Sequence, residues 1–380
     1  MKIRKIIGVI HLWLGLASGL VVLFLGVTGC ILAFQREIET LTVPCQYVAP
    51  QQQAYLPPSQ LYRIAAAALP GKQVHSITYG KRNKAAVASF YHADPEYYYL
   101  VYIDPYSGKV LKVKNMDQDF FRIVVDGHFY LWLPPAVGKP IIASATLIFV
   151  IMMITGIVLW WPKNKAARKQ RFSIKWSAKW RRVNYDLHNV LGFYMSWVAI
   201  FIAITGLVWG FQWVSTSIYW IASGGKQAIA FYEPVSKAPK TVAAIPAEDG
   251  VYNKMKALYP SAESIEVHFP DNDTSAIEGA ANPDIGTYWK TDYRYFDRNS
   301  LEEIPVTHMF GRLEKTTVAD KIARMNYDIH VGAVWGLPGK ILAFCASLLA
   351  ASLPVTGLLI WRGRRKKTKP AAKSAAIANA

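Results

Sequence analysis

His11-Leu12-Trp13-Leu14-Gly15 stands near the start of an apolar stretch that has no charged residue from position 6 to position 34. Three further stretches share this character, at residues 140–162, 187–213 and 341–361. Because about 20 residues cross the hydrocarbon core of a bilayer, each stretch is long enough to span a membrane. The sequence therefore predicts an α-helical membrane protein with four spans.

The charge of the chain is unevenly distributed. The 380 residues include 43 Lys and Arg against 25 Asp and Glu, a formal net charge of +18. Residues 1–34, 162–185 and 362–380 together hold 19 basic and no acidic residues, so they carry the whole excess. This distribution follows the positive-inside rule and does not indicate a nucleic-acid-binding surface. We expect both termini and the central basic loop in the cytoplasm, contact with membrane lipid, and no nucleic-acid partner.

The two halves of the chain repeat the same residues. Each span carries a Thr-Gly pair, and each half has two histidines beside its spans. The equivalent positions are His11 and His188, His128 and His330, Thr28-Gly29 and Thr205-Gly206, and Thr155-Gly156 and Thr356-Gly357. Both copies have the same orientation, so we predict a four-helix transmembrane bundle, built from a duplicated two-helix unit, with pseudo-two-fold symmetry along the membrane normal.

Two long segments lie between spans on the extracytoplasmic side. Each contains a helix-forming stretch, at 59–69 or 248–258, and an Asp-led turn, at 104–108 or 297–300. Alternating apolar runs indicate strands at 74–79, 85–91, 97–103, 109–113, 265–269 and 287–296. We therefore predict two small extracytoplasmic α+β domains. The predicted transmembrane helices are residues 1–34, 138–162, 186–213 and 338–361. The external domains are residues 35–137 and 214–337, the basic loop is 163–185 and the basic tail is 362–380.

The three cysteines indicate neither a disulfide nor a cleaved first helix. Cys30 and Cys345 lie within spans, and only Cys45 lies outside them. Val27-Thr28-Gly29-Cys30 matches a lipoprotein cleavage box, but apolar residues continue to Phe34 without a polar tether. We expect the first helix to be retained.

Four of the eight histidines form two symmetric pairs, His11 with His188 and His128 with His330. Two facing imidazoles inside a four-helix bundle are the axial ligands that a low-spin b-type haem needs. The pairs lie at opposite ends of the spans, so two haem b groups in series are predicted, and the absence of Cys-x-x-Cys-His excludes covalent attachment. Alternatives are plain structural histidines at the membrane interface and a zinc or copper site, although zinc needs three or four ligands close together.

Residues around these histidines have two interpretations each. An aspartate stands two positions before three of them: Asp126, Asp186 and Asp328. These carboxylates would either orient the imidazole ring or cap a helix N-terminus. The Thr-Gly pairs would allow close approach of a flat macrocycle or of a neighbouring helix. A cluster of tyrosines would line an external cleft or fill a core: Tyr91, Tyr97, Tyr98, Tyr99 and Tyr295. His308 is the remaining histidine nearest in sequence to the external pair.

Together these motifs resemble the PepSY-associated transmembrane proteins. The resemblance covers nearly the whole chain and rests on His11-Leu-Trp-Leu-Gly15 with Thr28-Gly29, on Asp186-Leu-His188 with Gly192, and on His330 with Gly336-Leu-Pro-Gly339. The two-repeat plan is similar to that of di-haem inner-membrane ferric-siderophore reductases. The chain departs from the pattern before the second span, where Leu133-Pro134-Pro135 precedes Gly138.

The resemblance implies a protein of the bacterial inner (cytoplasmic) membrane with two periplasmic PepSY-like domains. It implies a ferric-siderophore (ferric-chelate) reductase, an oxidoreductase that passes electrons through two haems and releases Fe(II) for iron uptake. In this expectation His11, His188, His128 and His330 are the axial ligands of haem iron, and no side chain is assigned a catalytic role. No Gly-x-Gly-x-x-Gly or P-loop motif occurs, so the electron donor is a cytoplasmic protein or a quinol.

Two other functions remain open from the sequence. One is a haem-free PepSY-type regulator of an envelope protein or peptidase, which gives no reason for four symmetric histidines. The other is a cytochrome b subunit of a different oxidoreductase. Bound haem separates the first from the reductase, and reoxidation by a ferric siderophore separates the second.

Overall fold

Four long helices form the membrane part of the protein. The computed structural model describes residues 2–162, 164, 168, 171–237, 245–270 and 272–365. The helices are α1 (Lys2–Ala33), α2 (Gln35–Thr42), α3 (Pro58–Ala68), α4 (Phe120–Tyr130), α5 (Pro135–Trp160), α6 (Trp180–Gly210), α7 (Gln212–Ala222), α8 (Ala247–Leu258), α9 (Val318–Arg324), α10 (Asn326–His330) and α11 (Gly336–Arg365). Helices α1, α5, α6 and α11 coincide with the four predicted spans to within three residues at their C-terminal ends for the first three, and all four are long and apolar enough to cross a membrane. The protein is thus a multi-pass membrane protein.

The bundle has a simple arrangement. Helix α1 packs on α5 and α11, and α6 packs on the same two helices, so α1 and α6 lie diagonally opposite each other. Small residues bring the neighbours close: a Cβ atom added to Gly26 would lie 2.7 Å from the Ser347 carbonyl oxygen of α11. Likewise, a Cβ atom on Gly210 of α6 would lie 2.8 Å from Cβ of Ala143 of α5. Such small-residue contacts are typical of helix packing in membranes.

The two segments between spans combine into one antiparallel sheet. Its strands are β1 (Ser76–Tyr79), β2 (Ala86–Ala93), β3 (Glu96–Ile103), β4 (Val110–Asn115), β5 (Ser264–His268), β6 (Ile277–Asn282), β7 (Asp292–Phe296) and β8 (Glu303–Ile304). They lie in the order β4-β3-β2-β1-β5-β6-β7-β8. Strands β1 and β5 join the halves at the centre, with Ile77 opposite Val267.

One hydrophobic core serves both halves of the sheet. Ile77 and Phe90 from the first segment and Val267 and Ile277 from the second are all buried in it. Helices α3 and α8 contact the sheet and each other, and Asp249 accepts hydrogen bonds from both the backbone N–H (2.8 Å) and the hydroxyl (2.7 Å) of Ser59. The expectation of two separate small domains therefore differs from the structure, because β1 pairs directly with β5 and the apolar faces on both sides of that pair are continuous.

Most predicted elements lie close to their expected positions. Helices α3 and α8 match the predicted stretches within one residue at each end. Strand β6 was missed because Gly279, Ala280 and Ala281 lack the β-branched pattern of a strand. Strand β7 begins at Asp292, five residues later than predicted, because the backbone of Tyr288 and Trp289 is bound by Asp328 instead.

The shared core predicts that the two segments unfold together. Ile77→Ala removes a fully buried side chain beside the β1–β5 seam and is expected to cost about 2–5 kcal/mol. Limited proteolysis in detergent with rising urea, with cleavage sites mapped by mass spectrometry, should then show cleavage in both segments at the same lower urea concentration. Val113→Ala on edge strand β4, where the side chain is exposed, is the matched control and should change little. Cleavage restricted to residues 47–115 in Ile77→Ala would contradict a shared folding unit.

Candidate functional site

Two histidines face each other at the sheet-side end of the bundle. His128 lies near the end of α4, and His330 is the last residue of α10. Their ring centres are 6.3 Å apart, and their ring planes are inclined by 72°. Both residues belong to short helices between the sheet and the bundle, and not to the starts of spans as the sequence suggested. The sequence prediction that these two histidines meet as a pair agrees with this geometry.

A threonine of the bundle binds each of these rings. His128 Nδ1 is 2.7 Å from Thr28 Oγ1 on α1, and His330 Nδ1 is 3.0 Å from Thr205 Oγ1 on α6. Each hydroxyl lies in reach of the carbonyl oxygen four residues earlier and donates its single hydrogen there, so it accepts from the imidazole. His330 Nδ1 also donates to the Ile202 carbonyl at 2.9 Å. The proton is therefore on Nδ1, and Nε2 of each ring carries a free lone pair.

The glycine of each Thr-Gly pair makes room for the same imidazole. A Cβ atom on Gly206 would lie 3.3 Å from Cε1 of His330, and one on Gly29 would lie 3.8 Å from Cε1 of His128. A Cβ atom on Gly206 would crowd the His330 ring, whereas one on Gly29 would make an ordinary van der Waals contact with the His128 ring. Each Thr-Gly pair thus forms a binding site for one imidazole, which we call a seat: the threonine binds Nδ1 and the glycine lies beside the ring. This is neither of the two roles that the sequence suggested.

The pair at the far end of the bundle has the same seats. His11 Nδ1 lies 2.9 Å from Thr155 Oγ1 on α5, and His188 Nδ1 lies 2.9 Å from Thr356 Oγ1 on α11. Hypothetical Cβ atoms on the neighbouring glycines, Gly156 and Gly357, would lie 3.4 Å and 3.3 Å from the two Cε1 atoms. His11 and His188 stand on the diagonal helices α1 and α6 and are close enough to interact electrostatically. All four symmetric histidines therefore share one feature, a threonine hydroxyl hydrogen-bonded to Nδ1.

A cavity of about 430 Å³ contains the sheet-side pair. Its volume falls within the usual range of small-molecule pockets. Its walls are mostly apolar and rich in Gly and Ala. Six wall residues of α1 have a wall residue of α6 177 positions later: Val22, Leu25, Gly26, Gly29, Leu32 and Ala33, matched by Ala199, Ile202, Ala203, Gly206, Trp209 and Gly210.

Burial keeps the sheet-side histidines neutral. Removal from water lowers the pKa of His128 to about 3, and the nearby His330 lowers it further in the same direction. Burial also lowers the pKa of His330 to about 4, although its hydrogen bond to the Ile202 carbonyl opposes the shift. Both rings are therefore neutral at pH 7, which is the form that binds a metal.

The three aspartates have roles that the sequence did not indicate. Asp186 accepts from Arg182 at 2.8 Å, and Asp126 lies 3.5 Å from Arg122. Asp328 is fully buried and accepts the backbone N–H groups of Tyr288 and Trp289, which ties α10 to the loop before β7. None of these contacts orients a histidine or caps a helix; α4 is capped by Asp119.

The other predicted residues lie away from the two pairs. His308 is buried among Phe231, Tyr232, Tyr295 and Phe310, and no contact joins it to the histidine pairs within the described part of the chain. The five tyrosines do not form one cluster, because successive side chains along a strand point to opposite faces of the sheet. Tyr97 and Tyr99 pack against the core, Tyr91 and Tyr98 lie on the opposite sheet face, and Tyr295 is buried.

Sequence reasoning missed a polar cluster on the sheet. His268 Nε2 lies 3.3 Å from Glu266 Oε1 and 3.6 Å from Glu278 Oε1, and the Ser76 hydroxyl donates to Glu266 at 2.6 Å. Burial alone would raise the pKa of Glu266, but the hydrogen bond and charge of His268 bring it down to about 2. Burial raises the pKa of Glu278. Alternation along β5 places Glu266 and His268 on one face, which is the only signal the sequence contained.

A zinc site receives no support from the arrangement. Across the described ranges, no three His, Cys, Asp or Glu side chains are grouped so as to hold a metal ion. The sheet-side pair, His128 and His330, offers two free Nε2 atoms and an adjoining cavity, which suits a metal that brings its other ligands with it.

The model of one protein family, described as the PepSY-associated TM region, matches residues 9–364. The match spans all four long helices and the sheet. No curated protein matches the chain.

The threonine seats predict unequal effects of two matched substitutions. Thr28→Val leaves His128 Nδ1 without its partner and should cost about 1–3 kcal/mol. Thr205→Val should cost less, because His330 Nδ1 keeps the Ile202 carbonyl. Thermal unfolding in detergent measures both, with Thr28→Ser and Thr205→Ser as controls that retain the hydroxyl. Equal losses for the two valine variants, or a serine variant as unstable as its valine counterpart, would contradict these seats.

Proposed function

Since the chain belongs to the PepSY-associated transmembrane family, we propose that it is a transmembrane electron-transfer protein that binds two b-type haems and reduces a ferric siderophore. One observation carries the proposal: the neutral, Nδ1-protonated rings of His128 and His330 face each other beside one apolar cavity. Two imidazoles on opposite sides of a metal, each with a bond of about 2 Å, place their ring centres roughly 6 Å apart. The observed 6.3 Å fits this arrangement.

The donor set also favours haem. A tetrapyrrole supplies four nitrogen ligands of its own and needs only two from the protein, and each histidine pair provides two. The apolar walls suit a flat macrocycle, and Gly29 and Gly206 line the same cavity beside the two rings. When bound in this way, haem supplies reversible one-electron transfer.

The residues of the chain would hold and shield these groups. The four histidines provide Nε2 to iron, and the four threonines fix the ring orientation through Nδ1. A hydrogen bond at the second ring nitrogen of a ligating histidine fixes its tautomer and raises its basicity. Small and apolar side chains around the sheet-side pair exclude water from the iron.

The placement of the pairs suits transfer across the membrane. His11 and Thr28, the partner of His128, lie on the same helix and are separated by 17 residues, or about 25 Å along its axis. We assign the far pair, His11 and His188, to the cytoplasmic side, because the basic segments lie at that end. The sheet, formed by two PepSY-like units of a duplicated chain, is then periplasmic, and the membrane is the bacterial inner membrane.

The reaction at the periplasmic side is proposed as reduction of Fe(III) in a siderophore complex. Fe(II) is a softer and less charged ion than Fe(III), and oxygen chelators bind it far less well, so one electron releases the iron. The donor is a cytoplasmic protein or a membrane quinol.

Haem content tests the proposal first. A pyridine haemochrome assay of purified protein from haem-supplied cells should give two non-covalent haems per chain. His128→Ala and His330→Ala should each remove the same single haem, and His11→Ala and His188→Ala should each remove the other. His92→Ala, an exposed histidine on β2, is the control and should keep both. A haem ratio near zero would favour the haem-free regulator, and loss of the same spectral component from His11→Ala and His330→Ala, but not from His188→Ala, would overturn the pairing.

Electron transfer to the chelate tests the substrate. Protein reduced with dithionite, freed of excess reductant, should be reoxidised on addition of a ferric siderophore, while the gallium complex of the same siderophore should have no effect. His128→Ala should still take up electrons at the far pair but should not reduce the chelate. Reoxidation by no ferric siderophore, with both haems present, would favour a cytochrome b subunit of another oxidoreductase.

A further inference from the structure

The cavity around the sheet-side histidines changes from apolar to polar along its length. Val22 of α1 and Phe149 of α5 line its inner part, about 10 Å deeper in the bundle than the histidine seats. Gln35 and Lys139 line the opposite part, near the sheet. Haem b has the same asymmetry, because its two propionate carboxylates stand on one edge of an otherwise apolar ring. The polar end of the cavity is thus the end where carboxylates would be accommodated.

A smaller pocket of about 100 Å³ continues the polar end toward the sheet. It shares Gln35 and Tyr327 with the main cavity and adds Arg36, Tyr288 and Lys340. The two spaces therefore share a wall at the turn between α1 and α2.

Arg36 is a cation in the wall of this smaller pocket, at the polar mouth of the cavity, and Tyr288 and Asp328 interact with its charge. Its Nη1 atom is buried and has no hydrogen-bond partner among the described residues, and its guanidinium carbon lies 4.5 Å from the ring centre of Tyr288. The buried acid Asp328 makes no hydrogen bond to Nη1, because its carboxylate accepts the backbone N–H groups of Tyr288 and Trp289. A buried guanidinium nitrogen with an unused N–H is costly to leave unpaired, so its position indicates an anionic ligand.

The two lysines of the mouth differ in their surroundings. Lys340 is buried and donates to Glu37 at 2.8 Å, so its charge is neutralised. Lys139 stands in the corresponding place on α5, lines the main cavity, and forms no ion pair with any described residue. Arg36 thus lies in the wall of the smaller pocket, and Lys139 lies in the wall of the main cavity that adjoins it.

We propose that Arg36 and Lys139 bind the two propionate carboxylates of the sheet-side haem, with Arg36 as the principal contact. This inference rests on the proposed function, because it specifies how the same cavity orients its cofactor. With these two contacts, the apolar edge of the haem ring points into the bundle and its carboxylate edge points toward the sheet. It also places a fixed positive charge beside the group that passes electrons to the chelate.

Haem release tests the role of Arg36. The rate of haem transfer from detergent-solubilised protein to apomyoglobin should rise about tenfold or more for one of the two haems in Arg36→Gln, because a charge-assisted hydrogen bond is lost. The haem held by His11 and His188 should leave at the wild-type rate and thereby report that the bundle is folded. The midpoint potential of the sheet-side haem should fall, since removal of a positive charge disfavours the reduced form. Arg36→Lys should be intermediate, and Arg63→Gln, an exposed arginine on α3, should have no effect.

Haem dimethyl ester, which lacks both carboxylates, separates a direct contact from a structural effect. Wild type, Arg36→Gln and Lys139→Gln are each freed of haem and reconstituted with the ester. All three should then release the sheet-side group at one rate. An Arg36→Gln protein that releases haem b at the wild-type rate would overturn the inference while the proposed function stands. If Arg36→Gln also speeds release of the ester by the same factor, the inference is likewise overturned while the proposed function stands. A wild-type protein that binds no haem would overturn both.

Discussion

The hydrogen bond between a threonine hydroxyl and Nδ1 of a histidine is the interaction on which the rest of this structure depends. It occurs four times, at 2.7–3.0 Å, and always beside a glycine that leaves space for the ring. Within a bilayer, an unpaired polar group costs several kcal/mol, so each imidazole needs such a partner. Because Nδ1 is used, Nε2 remains free for a ligand. The bundle thereby combines four hydrogen-bonded histidines with an apolar core that includes Met153 and Met195.

The sheet is bound firmly to the end of the bundle where the sheet-side pair lies. Asp328, two residues before His330, accepts two backbone N–H groups of the loop before β7. Arg324, at the end of α9, donates to the carbonyl oxygens of Met309 and Thr291 in the same part of the sheet segment. Movement of the sheet would therefore displace α10 and its histidine. This connection gives a physical route by which a ligand bound to the sheet would affect the sheet-side histidine pair.

The sequence predicted the features that depend on local pattern. The four spans follow from uninterrupted apolar runs, and the histidine pairs follow from their equivalent positions in the two halves of the chain. Features that depend on long-range contact were not predictable in this way. The β1–β5 pairing joins residues 186 to 192 positions apart, and nothing in either strand identifies the other as its partner. The roles of the aspartates were wrong for the same reason, because Asp328 binds a loop 40 residues earlier in the chain.

The inclination of the two sheet-side rings offers the most direct test of the central claim, that His128 and His330 ligate one iron. Bis-imidazole ferric haem is low-spin, and imidazole planes that are far from parallel give a strongly anisotropic electron paramagnetic resonance signal. With ring planes inclined by 72°, the oxidised protein should show such a signal, and it should vanish in both His128→Ala and His330→Ala. A wild-type spectrum without low-spin haem, or one in which this signal survives either substitution, would contradict the account.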